Sequence, residues 1–188
     1  MTTAAVRGFR GTDEVGWLRC RALSFLDTAY FDDVLPAKPT YPGNAIELVA
    51  TQDDLVVGIL DIAIDGPLAT IETIAVHPDA LRKGLASRLL DEAVQRLPSG
   101  TIEIDAWTRE DGAANAWYKS QGFAEAYRYL HVFASSADEV DRAVTAAGHE
   151  LRPRLAFFHG ATEHEAELRA SFRRVYICRR YLRTITPT

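Results

Sequence analysis

Residues 71–90 read IETIAVHPDALRKGLASRLL. Ile71–Val76 suits a buried strand, and His77-Pro78-Asp79 breaks it. Beyond the break, Leu81, Leu85, Leu89, Leu90, Ala93, Val94 and Leu97 form one apolar stripe at helical spacing. Pro98-Ser99-Gly100 ends the stripe, so the pattern predicts a helix over 82–97. Arg82, Lys83 and Gly84 stand where the strand hands over to that helix. A plain junction asks only for a glycine and some surface charge. The other reading is an anion site. A helix N-terminus offers unpaired N–H groups and the positive end of the helix dipole. Gly84 admits close approach to the backbone, Ala86 is nearly as small, and Arg82, Lys83 and Arg88 add positive charge. Such a site suits a phosphate or pyrophosphate. The glycine pattern fits neither a Walker P-loop nor a Rossmann fingerprint.

Working outward, Ala4–Phe9 reads as a first strand and Thr12-Asp13-Glu14 as the start of a first helix. Residues 27–45 carry Pro36, Pro39 and Pro42 with Gly43-Asn44, which predicts a loop. Ile46–Thr51, Leu55–Ile64 and Leu68–Val76 read as an antiparallel meander with turns at Gln52-Asp53-Asp54 and Asp65-Gly66-Pro67. Thr101–Trp107 is a further strand, Gly112–Gln121 a short helix closed by Gly122, and Phe123–Phe133 another strand. The connection over 135–172 is too long to be structureless in a compact domain. Helices are expected there over 137–147 and over Thr162–Ala170, before a closing strand at 173–182. The order is that of an α/β fold: a mixed sheet flanked by helices.

At 188 residues the chain reads as a single domain able to bury its own core. A net charge of −5 argues against a dedicated nucleic-acid binder without excluding a local phosphate site. Cys20 and Cys178 both sit in apolar segments and are expected as buried free thiols, as in a reducing cytoplasm. The N-terminus lacks the apolar region of a signal peptide, and no run approaches the ~18 apolar residues of a membrane span. His159, Glu163, His164 and Glu167 suggest metal ligands at first sight, but a solvated helix N-terminus explains the glutamates better, so no metal is expected.

The stretch IAVHPDALRKGLASRLL resembles the acetyl-CoA-binding motif of the GNAT N-acetyltransferase superfamily: a strand, a short loop with two small residues (here Gly84 and Ala86), and a helix. AANAWYKSQGF at 113–123 resembles that family's following motif, an aromatic-Tyr pair before Gly-Phe. The resemblance covers residues 5–133 in element order, and beyond them only the closing strand. It implies a GNAT-like, mostly antiparallel twisted sheet flanked by helices, with residues 134–172 inserted in the C-terminal hairpin. It departs from the family at Leu81, where Gln or Arg is frequent, and at Asp111, where many members have Asn. The long connection after Phe133 is a third departure.

The resemblance implies acetyl-CoA as co-substrate and direct attack by an amine, with no acyl-enzyme. Cofactor contacts are expected along Ile74, Ala75 and Val76, along Arg82, Lys83, Gly84, Leu85, Ala86 and Ser87, and at Asp111, Asn115 and Tyr118. Tyr118 is the expected general acid, since its reference pKa of ~10 is not far above that of an alkyl thiol. The alternative for Tyr118 is an aromatic anchor. Glu72 is the expected general base; Glu72, Ile74 and Val76 are read as alternating onto one face. Asp105 on the adjacent strand is the runner-up, and the Val76 N–H is the natural oxyanion donor. His77 and His131 are read as structural. Asp27, Asp32 and Asp33 with Tyr30, Phe31 and Tyr41 are candidates for holding a cationic amine, either a small molecule or a peptide terminus. A competing reading is an acyl-CoA-binding sensor without turnover; another is an unrelated α/β binding domain. The C-terminal part, 135–188, with its arginine-bordered strand at 173–182, is expected to complete the sheet and to contribute to a homodimer; the alternative is a monomer whose extra helices only cover its own core.

Overall fold

The computed structural model describes residues 3–144 and 156–185. Its centre is the meander of β2 (Asn44–Gln52), β3 (Leu55–Asp65) and β4 (Leu68–Val76). Asp53 and Asp54 both take positive φ, 50° and 62°, which lets a two-residue turn match the strand twist. Side chains alternate across the sheet and load both faces. On one face, Trp17 and Cys20 of α1 (Glu14–Phe25) close over Val49, Ile59 and Ala75. On the other, Leu89, Leu90 and Ala93 of α2 (Leu85–Gln95) cover Leu48, Leu60 and Ile62. Gly58 permits the second contact: a Cβ there would sit 3.1 Å from both Leu89 Cδ1 and Ala50 Cβ.

The remaining elements are β1 (Ala5–Gly8), β5 (Glu103–Thr108), α3 (Gly112–Ser120), β6 (Ala124–Ala134), α4 (Ala137–Val144), β7 (Ala156–Gly160), α5 (Glu165–Ser171) and β8 (Arg174–Thr184). They form one eight-stranded sheet in the order β1-β2-β3-β4-β5-β8-β6-β7. Every pairing is antiparallel except β4 with β5. This is the mixed, mostly antiparallel sheet expected from the sequence, with a helical segment before the last strand.

Three details differ from expectation. The long connection holds a strand, β7, as well as its helices, and Phe157 and Phe158 pair with Phe133 and Val132. Residues 145–147 of the expected helix lie outside the described residues. Strand β8 is no edge: it lies between β5 and β6, and Tyr181 is fully buried against Tyr118. Pairing on both sides leaves that strand no backbone with which to meet a second subunit.

The loop between α1 and β2 is fastened by an unusual buried cation. Lys38 Nζ lies within 5.3 Å of the ring centroids of Phe9, Trp17 and Tyr41. It pairs with Glu47 and stands 3.4 Å from the fully buried Asp61. Burial drives the Asp61 carboxyl up to about 6 despite that cation. Its folded pKa therefore exceeds the unfolded value, and over that interval stability falls as pH rises. Lys38→Met removes the compensating charge. We expect a loss of about 3–5 kcal/mol near pH 7.5, shrinking below about pH 6 as Asp61 takes up a proton. Urea titrations at the two pH values read both effects; equal losses at each would contradict the pairing.

Candidate active site

The parallel pairing of β4 with β5 covers only Leu68–Ile71 against Glu103–Ala106. Strand β3 stays paired to β4 as far as Val76. The second half of β4 therefore has a partner on one side and an open wedge on the other. His77 N–H donates to Val57 O at 2.9 Å. Antiparallel alternation then sends the N–H groups of Ile74 and Val76 into the wedge. Ser24 Oγ of α1 donates to Val76 O at 2.9 Å and steadies the strand end.

The pairing fails beside a β-bulge. Ile62 faces Ile71 and Asp61 faces Thr73, so Glu72 is the extra residue. The bulge also shifts the side-chain phase. Ile71 and Ile74 both join the core on the α2 side, whereas Thr73 lies opposite Asp61 on the α1 side. Glu72 comes under the influence of Asp105 and acts on Tyr41, both groups of the α1 side. The expected alternation of Glu72, Ile74 and Val76 onto one face is thus corrected. An added residue breaks the two-residue period, and such bulges re-aim side chains beside functional sites. Burial and then the Asp105 carboxylate raise the Glu72 pKa. Asp105 is itself buried; its Oδ2 accepts from Arg180 Nε at 2.5 Å, and its Oδ1 has no hydrogen-bond partner among the described residues.

Below the wedge, Pro78–Ala80 make one helical turn, capped by His77 Nδ1 accepting from Asp79 N–H at 3.2 Å. Arg82 and Gly84 then take left-handed conformations, φ 60° and 70°. Gly84 is the N-cap of α2, and a Cβ built there meets nothing within 4 Å. The first helical bond is Arg88 N–H to Gly84 O, 3.0 Å, so the N–H groups of Leu85, Ala86 and Ser87 face outward unpaired within the helix. Arg82 and Lys83 stand exposed beside them. Arg88, expected to add charge here, instead donates to Ala4 O at 2.8 Å and ties down the N-terminus.

Helix α3 approaches the wedge from the α2 side. Trp117 Nε1 donates to Ser87 Oγ at 3.2 Å, joining the two helices. Tyr118 is buried; its ring stacks on Tyr181 at 5.3 Å and 11° and meets Phe123 edge-on. Burial, with Tyr30 and Tyr181 adding, holds its hydroxyl well above tyrosine's ordinary pKa. Asp111 caps the helix through Ala114 N–H, 2.9 Å. Asn115 uses its amide on the fold: Nδ2 donates to Arg109 O and Asp111 O, and Oδ1 accepts from Tyr181 Oη at 2.5 Å.

Most of the loop candidates for the amine site are already engaged. Asp32 pairs with Arg174, and Asp33 with Arg21 at 2.8 Å. Tyr30 Oη accepts from Arg109 N–H at 2.9 Å, and Phe31 lies under Arg174. The structure gathers other rings that the reading of single motifs passed over. Trp107 on β5 meets Tyr127 and Tyr129 on β6 at 6.2 and 5.4 Å. The alternation Tyr127, Tyr129, His131, Phe133 carried that signal in the sequence. Cys20 and Cys178 are free and buried; burial pushes the first up to about 11 and raises the second. Among the described residues no group of three His, Cys, Asp or Glu could hold a metal, and no helix is long and apolar enough to cross a membrane.

Residues 43–125 match the family model described as Acetyltransferase (GNAT) domain. Among solved structures, the ribosomal-protein-S18-alanine N-acetyltransferase from Escherichia coli aligns over 99% of this chain and 96% of its own, with TM-score 0.61 and 17% identity. An N-acetyltransferase from Staphylococcus aureus Mu50 aligns over 98% and 100%, with TM-score 0.62 and 14% identity. The paiA N-acetyltransferase from Thermoplasma acidophilum, in complex with coenzyme A, aligns over 66% and 92%, with TM-score 0.57 and 14% identity. These likenesses concern the fold. No curated protein matches the sequence.

Tyr181 anchors α3 through one hydrogen bond and one stacked ring. Tyr181→Phe keeps the ring and strands Asn115 Oδ1, so we expect a loss of about 1–2 kcal/mol in urea unfolding. An unchanged midpoint would show that the hydrogen bond contributes nothing to α3 docking.

Proposed function

Since the chain belongs to the GNAT superfamily, we propose that it is an N-acetyltransferase moving an acetyl group from acetyl-CoA to a primary amine by direct attack. The observation that carries the reading is the open wedge beside β4, continuous with the bare N-terminus of α2.

The residues fit the co-substrate. The pyrophosphate would lie on the N–H groups of Leu85, Ala86 and Ser87, where Gly84 leaves open space and Arg82 and Lys83 supply charge. The pantetheine amides would take the place of the missing strand along Ile74, Ala75 and Val76. The thioester carbonyl would then meet the Val76 N–H, which stabilises the developing oxyanion.

Acid and base approach that carbon from opposite sides of the sheet. Glu72 on the α1 side takes a proton from the incoming ammonium, directly or through a water. A carboxylate pKa raised toward neutrality makes it a better base than an ordinary surface glutamate. The nitrogen lone pair then forms the C–N bond as the C–S bond breaks. Tyr118 gives its proton to the departing thiolate from the α2 side. Burial raises its pKa and makes it a weaker acid, so the transfer relies on the same dry surroundings raising the basicity of the departing thiolate. The elevated thiol pKa values of Cys20 and Cys178 support a route without an acyl-enzyme.

Three variants test this reading. Gly84→Glu puts a side chain and a negative charge on the phosphate site, so calorimetric binding of acetyl-CoA should disappear while the far-UV spectrum persists. Tight binding by that variant removes the loop assignment. Tyr118→Phe should lower turnover at least ~10-fold with little change in acetyl-CoA affinity, as expected for loss of a general acid. Glu72→Gln should lower turnover and abolish the acidic limb of the rate profile, a limb that burial and Asp105 shift upward in pH. Acetyl-CoA binding with no turnover on any amine would favour the sensor reading instead.

A further inference from the structure

The two lips of the wedge are tied to each other from outside the sheet. Paired register between β4 and β5 ends at Ile71 and Ala106. Past that point the segment after α1 joins them. At one lip, Ser24 Oγ donates to Val76 O, on the last residue of β4. At the other, Tyr30 Oη accepts from the N–H of Arg109, the residue that follows β5, at 2.9 Å. Val76 and Arg109 stand at the same ends of neighbouring parallel strands, so the chain from Ser24 to Tyr30 crosses the mouth of the wedge on the α1 side. After burial, Tyr30 is the next cause of the raised Tyr118 pKa, so its ring lies within electrostatic reach of the proposed acid.

The landing of this strap is built around one cation. Arg109 Nη1 donates to Ala29 O at 2.6 Å and lies 3.8 Å from Asp32 Oδ1. Its Nε donates to His131 Nδ1 at 3.3 Å, and its guanidinium lies over the rings of Tyr30 and Phe133, 4.4 and 5.1 Å from their centroids. The side chain is 12% exposed. A planar fork held by backbone, imidazole and two rings at once has one orientation open to it. Arg174 at the start of β8 adds a second hold, donating from Nη2 to Ala29 O at 3.3 Å and to Asp32 Oδ1 at 2.8 Å. Arg109 also reaches the α2 side through its carbonyl, which accepts from Asn115 Nδ2 at 3.0 Å, one turn before Tyr118 on α3. Strap, lip and the helix of Tyr118 therefore meet at one residue.

We propose that Arg109 is a positioning residue of the acetyl-CoA slot: by stapling the segment after α1 across the wedge, it sets the spacing of β4 and β5 at the thioester end. This rests on the acetyltransferase reading above. An arm lying as a strand can bond β4 only while the other lip keeps it about 4.8 Å away. With the staple released, β3 still holds β4 and β8 still holds β5, so the sheet survives while the lips are free to part. The N-terminus of α2 takes no part in the staple, so the phosphate end stays as it is.

The test separates the two ends of the co-substrate. Calorimetry compares acetyl-CoA with its nucleotide half, 3′-phospho-ADP, which meets the phosphate loop but has no arm in the wedge. The parent protein should bind acetyl-CoA the more tightly. Arg109→Met keeps the aliphatic stem and removes the donors. It should weaken acetyl-CoA roughly 10-fold, as for the loss of one or two hydrogen bonds along the arm, and leave 3′-phospho-ADP unchanged. Tyr30→Phe keeps the ring and removes the hydroxyl; it should act in the same direction, and it decides alone if the first variant does not fold. Unchanged acetyl-CoA affinity in the folded variant overturns the proposal. So does an equal loss for both ligands, the mark of a general loss of structure, and so does a parent protein that binds both equally well. A parent protein that binds neither ligand overturns the acetyltransferase reading, and the proposal with it.

Discussion

Everything in the site depends on a hydrogen-bond ladder that stops. Strands β4 and β5 run parallel for four paired residues and then separate, and the separation begins at the bulge on Glu72. A sheet interior with unpaired N–H groups is costly unless something else supplies acceptors. The fold tolerates the gap because β3 continues to hold β4 and because Ser24 and Val57 fix the strand end. What remains is a slot edged by backbone donors. It leads directly to the N-terminus of α2, where three more donors are free.

The same bulge sets the two proposed proton-transfer groups on opposite sides of the sheet. It sends Glu72 to the α1 side, toward Asp105, while Tyr118 stays on the α2 side among core aromatics. A base and an acid on opposite sides of a slot can serve an entering nucleophile and a leaving group without competing for one proton. The two halves are also built differently. The Tyr118 side is packed by Tyr181, Phe123 and Trp117, whereas the Glu72 side opens onto partly exposed rings. That contrast accords with a cofactor of constant shape on one side and an acceptor chosen by the surface on the other.

Much of this was legible in the sequence. The stripe from Leu81 to Leu97, the meander turns and the Gly84 junction were enough for element order and for the open helix N-terminus at Gly84, because period and turn chemistry are local. The bulge was not legible. A single added residue leaves the strand composition unchanged, so Glu72 was placed on the face of Ile74, whereas the register sends it to the other. Strand β7 was missed because it forms only through pairing with β6, far away in sequence. The engagement of Asp32, Asp33 and Arg88 was equally invisible, since each finds its partner through tertiary contact. Tyr181 had the residue pattern of a surface strand and proved to be core, because the insertion of β8 between β5 and β6 buries it.

The wedge can be addressed directly by following backbone amides as acetyl-CoA is added, in a chain whose 20.8 kDa mass suits amide-resolved NMR. The account requires the largest shifts at Ile74 and Val76 and at Leu85, Ala86 and Ser87, with small ones along β1 and α5. Saturable shifts confined to other elements, with Val76 and Ser87 unmoved, would contradict it.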